Sequence, residues 1–131
     1  MYCLDTNIAV DHLRGDLTVT KRLQQIQKMG VELAITSISL CELYKGAYLS
    51  EHVEQNLAGV DVFLGAVTLL SQDKLSCLLF GQDYAELQKK GVPTQETDLM
   101  IASISKANNR ILVTRNAKDF KNIPNLVINR W

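Results

Sequence analysis

Runs of apolar residues too short for helices alternate along this chain with longer stretches of helical period, and that alternation leaves few folds open. Met1–Leu4, Val31–Thr36, Val67–Leu70, Ile111–Thr114 and Leu126–Ile128 read as buried strands. Between them, apolar residues recur at helical spacing: Val19, Leu23 and Ile26, stopped by Gly30; Leu40, Leu43, Tyr44 and Ala47; Val53, Leu57, Val60 and Leu64. A further helix carries Leu75, Leu78, Leu79 and Leu87 and ends at Lys89-Lys90-Gly91 before Pro93. The last runs from Leu99 to Ala107 and stops at Asn108-Asn109. Strands joined through helices return by crossovers, so a three-layer α/β/α sandwich around a mainly parallel sheet is predicted. The 131 residues contain no linker, repeat or low-complexity tract, which predicts one domain over residues 1–131.

In such sheets, sites form beyond the carboxyl ends of the strands, where the strand order reverses. Four acids stand at or just after such ends. Asp5 follows the first strand, Glu42 lies in the helix after the second, Asp98 opens the helix beginning near Thr97, and Asp119 comes shortly after Ile111–Thr114. Each has a structural alternative. Asp5 or Thr6 suits a helix cap, Ser39-x-x-Glu42 matches a capping box, Asp98 complements a helix dipole, and Asp119 suits a turn. Their recurrence at one edge of the sheet is what points to chemistry.

Clustered carboxylates repel one another unless a cation joins them. Oxygen-only donors suit Mg²⁺ or Mn²⁺ better than zinc, and such ions serve phosphodiester hydrolysis by activating water and stabilising the leaving oxygen. The two histidines, His12 and His52, lie in polar helical contexts that predict surface positions. No Gly-x-Ser-x-Gly elbow, phosphate-binding G-x-x-x-x-G-K-[ST] loop or G-x-G-x-x-G turn is present. Cys3, Cys41 and Cys77 are far apart in apolar sequence, without a C-x-x-C pair, and read as buried reduced thiols. Fourteen basic residues balance fourteen acidic ones, so any nucleic-acid contact must come from a local patch, a metal site or a basic partner. Lys45, Arg115, Lys118 and Lys121 fall near the acids in this layout and form the candidate nucleic-acid-binding patch. No apolar run reaches the roughly 18 residues of a membrane span and no basic-then-apolar leader opens the chain, which predicts a cytoplasmic location.

Leu4-Asp5-Thr6-Asn7, Ser37-Ile38-Ser39-Leu40-Cys41-Glu42-Leu43-Tyr44-Lys45-Gly46-Ala47, Asp98-Leu99-Met100-Ile101-Ala102-Ser103 and Leu112-Val113-Thr114-Arg115-Asn116-Ala117-Lys118-Asp119-Phe120, in this order, resemble the PIN-domain family. More closely, they resemble the toxin ribonucleases of VapBC toxin–antitoxin pairs, over essentially the whole chain. The resemblance implies a Mg²⁺- or Mn²⁺-dependent endoribonuclease acting on structured RNA such as tRNA or ribosomal RNA. It also implies a homodimer, held in check by an antitoxin that binds DNA and blocks the active site. By position, Asp5, Glu42 and Asp98 match metal-site acids, and Thr114 matches a polar residue that supports them. The fourth acid is divided between two positions, since Asn116 stands where many relatives carry an acid and Asp119 follows three residues later.

Two other classes fit parts of the pattern. A catalytically weakened member, keeping the fold for RNA or protein binding, is suggested by Asn116. An aspartate-phosphorylated receiver is also α/β with acids at strand ends. It requires an acid pair after the first strand, and Asp5-Thr6-Asn7 supplies one acid only.

Overall fold

Five strands form a single sheet in which every neighbouring pair is parallel. They are β1 (Tyr2–Leu4), β2 (Leu33–Thr36), β3 (Thr68–Leu70), β4 (Ile111–Thr114) and β5 (Ile128–Arg130), in spatial order β3-β2-β1-β4-β5. The computed structural model describes the whole chain, Met1–Trp131. Seven helices make the crossovers: α1 (Thr6–Leu13), α2 (Leu17–Lys28), α3 (Ser37–Leu49), α4 (Val53–Leu64), α5 (Lys74–Lys89), α6 (Glu96–Ala107) and α7 (Ala117–Phe120). The three-layer sandwich predicted from the alternation is the fold observed.

Strand side chains point alternately to the two faces, and here both faces are covered. Leu4, Leu33, Ile35 and Val113 pack with Ile8, Ala9, Val19, Leu23, Leu43, Val60 and Phe63 from α1 to α4. Leu112 turns the other way, toward Leu87, Leu99, Ile101 and Ala102 of α5 and α6 and toward Phe120 and Ile123. Cys3 and Ala34 share that second face with Ile104. Burial on both faces is why the strands read as continuous apolar runs. The helix stops are also where the sequence puts them: Gly30 (φ 74°) and Gly91 (φ 67°) take the left-handed conformation that glycine adopts without strain.

Several expectations need correction. β5 begins at Ile128, two residues later than the apolar run, because the ladder opens with Leu112 N–H donating to Val127 O (2.9 Å) and ends with Trp131 N–H donating to Thr114 O (3.1 Å). On α5, Leu75 and Leu78 are each 51% exposed, and the inward residues are Ser76, Asp83 and Leu87, with Phe80 half-buried. A capping box between Asp73 and Ser76 sets that phase. Asp83 tolerates its inward position because Lys106 Nζ reaches it at 2.6 Å. Cys3 is buried as expected and its thiol is pushed up to about 11 by desolvation, but Cys41 and Cys77 are exposed. His52 is exposed, whereas His12 is half-buried, with Nδ1 2.8 Å from Thr20 Oγ1 and its ring 5.6 Å from that of Phe63. Burial lowers the His12 pKa. No helix is long and apolar enough to cross a membrane.

Candidate active site

The order β3-β2-β1-β4-β5 reverses direction between β1 and β4, so the crevice beyond the carboxyl ends of these two strands is where a ligand belongs. Asp5 is the first residue past β1 and sits in that crevice, 4% exposed. Its backbone N–H donates to Val113 O of β4 at 2.9 Å, which ties it across the switch point. Both of its carboxylate oxygens are held: Thr6 N–H donates to Oδ1 (2.8 Å) and the Thr114 hydroxyl donates to Oδ2 (2.8 Å). Thr114, fully buried at the end of β4, in turn accepts the Asn116 N–H at 2.9 Å. The supporting role expected of Thr114 therefore has a geometry: it fixes Asp5 and the turn that leads to α7.

Glu42 does not close a capping box with Ser39. Thr36 is the N-cap of α3 and accepts from Ser39 N–H at 3.1 Å, so the helix starts earlier and Glu42 falls in its second turn. Half-buried there, Glu42 Oε1 accepts from the Thr6 hydroxyl at 2.9 Å. Asp98 lies in the first turn of α6, half-buried and without a capping bond. Asp119 is exposed on α7, where its N–H donates to Asn116 O at 2.9 Å and the chain continues into the buried Phe120.

The four acids share one electrostatic neighbourhood. Burial raises the Asp98 pKa to about 6, and the charges of Asp5, Asp119 and Glu42 push it the same way. Asp5 is raised first by burial, against the lowering bonds from Thr114 and Thr6, with Glu42 and Asp119 adding to the rise. As the side chains stand, no three of them surround one point at metal-ligand distances. Side-chain rotation would change those distances without changing which helices and strands carry the four charges. None of the four carboxylates forms an ion pair, although five such contacts exist elsewhere in the molecule.

Of the expected basic patch, Lys45 is exposed on α3 three residues after Glu42, and Lys118 and Lys121 are exposed on and just after α7. Arg115 is different. Its guanidinium bridges Asp11 (2.9 Å) and Asp16 (3.2 Å), two acids that the sequence did not single out. The sequence also gave no signal for Thr6 beyond its aptness as a cap. A cavity of about 620 Å³, lined by Asp83, Lys106 and Arg110 among others, lies toward the amino end of the sheet, away from all these groups.

The PIN domain family model matches residues 2–126. The chain belongs to the PIN-domain family. Ribonuclease VapC2 of Rickettsia felis is 35% identical over 131 residues, covering 100% of this chain and 98% of that protein. The tRNA(fMet)-specific endonuclease VapC of Salmonella typhimurium is 32% identical over 134 residues, covering 99% and 97%. Among solved structures, VapBC2 from Rickettsia felis bound to a DNA fragment from their promoter superposes with TM-score 0.93 at 36% identity, over 99% of this chain and 98% of that one. The PIN-domain relatives thus span nearly the full length of both partners in each comparison.

Proposed function

We propose that this chain is a Mg²⁺- or Mn²⁺-dependent endoribonuclease, the toxin of a toxin–antitoxin pair, acting on structured cellular RNA such as tRNA or ribosomal RNA. One observation carries the reading. Four carboxylates lie beyond the carboxyl ends of the sheet, near enough for their charges to act on Asp5 and Asp98, with no cationic side chain paired to them, while burial and mutual repulsion raise two of their pKa values. An arrangement that costs stability in this way fits a hard divalent cation in its donor chemistry. Asp5, Glu42, Asp98 and Asp119 would hold the ion, which supplies water activation and charge stabilisation for phosphodiester hydrolysis. Asp119 is taken as the fourth member, since its charge acts on both Asp5 and Asp98 and a divalent cation favours a charged ligand over the neutral amide of Asn116. Asn116 contributes its N–H to Thr114.

The chain's own residues then have definable tasks. Thr114 and the Thr6 N–H keep Asp5 fixed against β4. Asp98, whose pKa burial and the neighbouring carboxylates raise to about 6 in the metal-free chain, would be held as a carboxylate once the cation is bound. Exposed Lys45 and Lys118 attract the RNA backbone. The Salmonella relative's name makes tRNA the first substrate to try.

The neighbouring VapBC structures support an antitoxin as partner. An antitoxin arginine facing unpaired carboxylates would form the bidentate bond that guanidinium and carboxylate favour. Glu42 also lines a groove of about 470 Å³ with Val10, Leu13, Leu43 and Val60, where an apolar flank of such a partner fits. Pairing with a second copy is supported by the exposed Leu75 and Leu78 on one side of α5.

The test is incubation of the purified chain, free of partner, with total RNA. Cleavage is expected with Mg²⁺, and its loss with EDTA or in Asp98→Asn. Cleavage that survives EDTA would refute the metal-dependent reading.

A further inference from the structure

We propose that Thr6 is a positioning residue: its hydroxyl, fed by Ser39 and Thr36, fixes Glu42 relative to Asp5. The inference rests on the metal-site reading above and concerns the Thr6 hydroxyl, to which that reading gives no role. Glu42 is carried by α3, while Asp5 is carried by the junction of β1 and α1, so nothing in the local chain ties the two together. Thr6 does so, since its N–H donates to Asp5 Oδ1 (2.8 Å) and its Oγ1 lies 2.9 Å from Glu42 Oε1.

The hydroxyl is itself organised. Thr6 Oγ1 lies 3.0 Å from Ser39 Oγ, and Ser39 Oγ lies 3.2 Å from Thr36 Oγ1. A carboxylate oxygen only accepts, and a hydroxyl has one proton to give. The Thr6 proton therefore goes to Glu42, and Thr6 accepts from Ser39. Thr36, whose oxygen already takes the Ser39 N–H (3.1 Å), donates to Ser39 Oγ. Every proton in the chain points toward Glu42, so the bonds polarise one another in one direction. Ser39 and Thr36 are fully buried and Thr6 is nearly so, which keeps water from replacing the links. Glutamate has three side-chain torsions, and the bond from Thr6 is the one hydrogen bond that restrains the Glu42 carboxylate.

Partners that orient metal-ligating carboxylates are typically worth roughly tenfold to a hundredfold in metal affinity. The experiment is Mn²⁺ binding to the full chain, followed by the electron paramagnetic resonance of free Mn²⁺, for wild type, Thr6→Val, Thr6→Ser and Ser39→Ala. Thr6→Val keeps the shape and removes the hydroxyl, so its dissociation constant should rise about tenfold or more. Thr6→Ser should restore most of the affinity, and Ser39→Ala should weaken it by a smaller factor. Ser39→Ala carries the test if Thr6→Val fails to fold. Wild-type binding that Thr6→Val leaves unchanged, or a loss that Thr6→Ser does not repair, overturns the positioning role alone. Wild type that binds no Mn²⁺ overturns the metal site and this role with it.

Discussion

The two ends of the sheet handle buried charge in opposite ways. At the amino end, Asp83 and Glu32 each have a cation. Asp83, 4% exposed, meets Lys106 Nζ at 2.6 Å, and that ammonium also donates to Pro124 O at 2.7 Å. Glu32, just before β2, accepts from Arg110 Nη2 at 3.0 Å and from the Thr68 hydroxyl at 2.6 Å, and these bonds lower its pKa. At the carboxyl end, Asp5 and Glu42 accept from hydroxyls and a backbone N–H, Asp98 and Asp119 have no side-chain partner, and none of the four is paired with a cation. The nearest guanidinium in sequence, Arg115, is turned to Asp11 and Asp16 instead. Paired charge at one end is consistent with structure alone. Unpaired charge at the other costs stability, which the proposed cation would return on binding.

The comparison is broken most severely at the amino end. Lys106→Met should leave Asp83 buried without its partner and cost about 3–5 kcal/mol of unfolding free energy. Chemical denaturation would measure it. A loss within about 0.5 kcal/mol would mean that the paired end is no more structural than the unpaired one.

A smaller effect separates the cations at the carboxyl end. Neutralising Lys45 and Lys118 together should lower the slope of log affinity for single-stranded RNA against log salt by about 1.4, two phosphate contacts' worth. Neutralising Lys45 with Arg115 should lower it by less, because Arg115 is already balanced by two carboxylates. Equal slopes for the two double variants would show that the Arg115 pairing does not persist when RNA binds.

A further effect, screened by solvent because Asp98 is only half-buried, is in stability against pH. The folded Asp98 pKa of about 6 lies above its ordinary 3.8, so between these values the folded chain keeps a proton that the unfolded chain has released. Stability of the metal-free protein is then lost as pH rises from about 4 to about 6 and levels off above. Asp5 acts in the same direction. The depressed acids Asp16, Glu32 and Asp73 act in the opposite direction and at lower pH. Subtracting an Asp98→Asn curve from the wild-type curve in EDTA isolates the group: the difference should grow against wild type from pH 4 to 6. A flat difference would place Asp98 outside the repulsive cluster.

How far this contrast was legible in the sequence depends on the kind of interaction. The crossovers, the five strands and the positions of Asp5, Glu42, Asp98 and Asp119 beyond strand ends follow from periodicity and turn chemistry, which are local. The phase of α5 does not. Leu75 and Leu78 satisfy an apolar stripe, yet the Asp73–Ser76 cap and the Lys106 partner turn Asp83 inward instead. That partner is 23 residues away. The capping box read at Ser39 and Glu42 went astray for a related reason. Thr36 sits both at the end of β2 and at the start of α3, and only the folded chain shows which hydroxyl caps the helix. Thr6 was invisible as a link because its partner lies 36 residues further on. The pairing of Arg115 with Asp11 and Asp16 was hidden in the same way.

The most direct test of the central claim is thermal unfolding of the purified chain at pH 7 during a Mg²⁺ titration, beside Asp98→Asn. A ion that binds only the folded state stabilises it by about 2.7 kcal/mol at a hundredfold excess over its dissociation constant. A saturable rise in the wild-type Tm, much reduced in Asp98→Asn, is the expected result. A wild-type Tm unmoved by Mg²⁺ and Mn²⁺, or one that rises equally in Asp98→Asn, would contradict it.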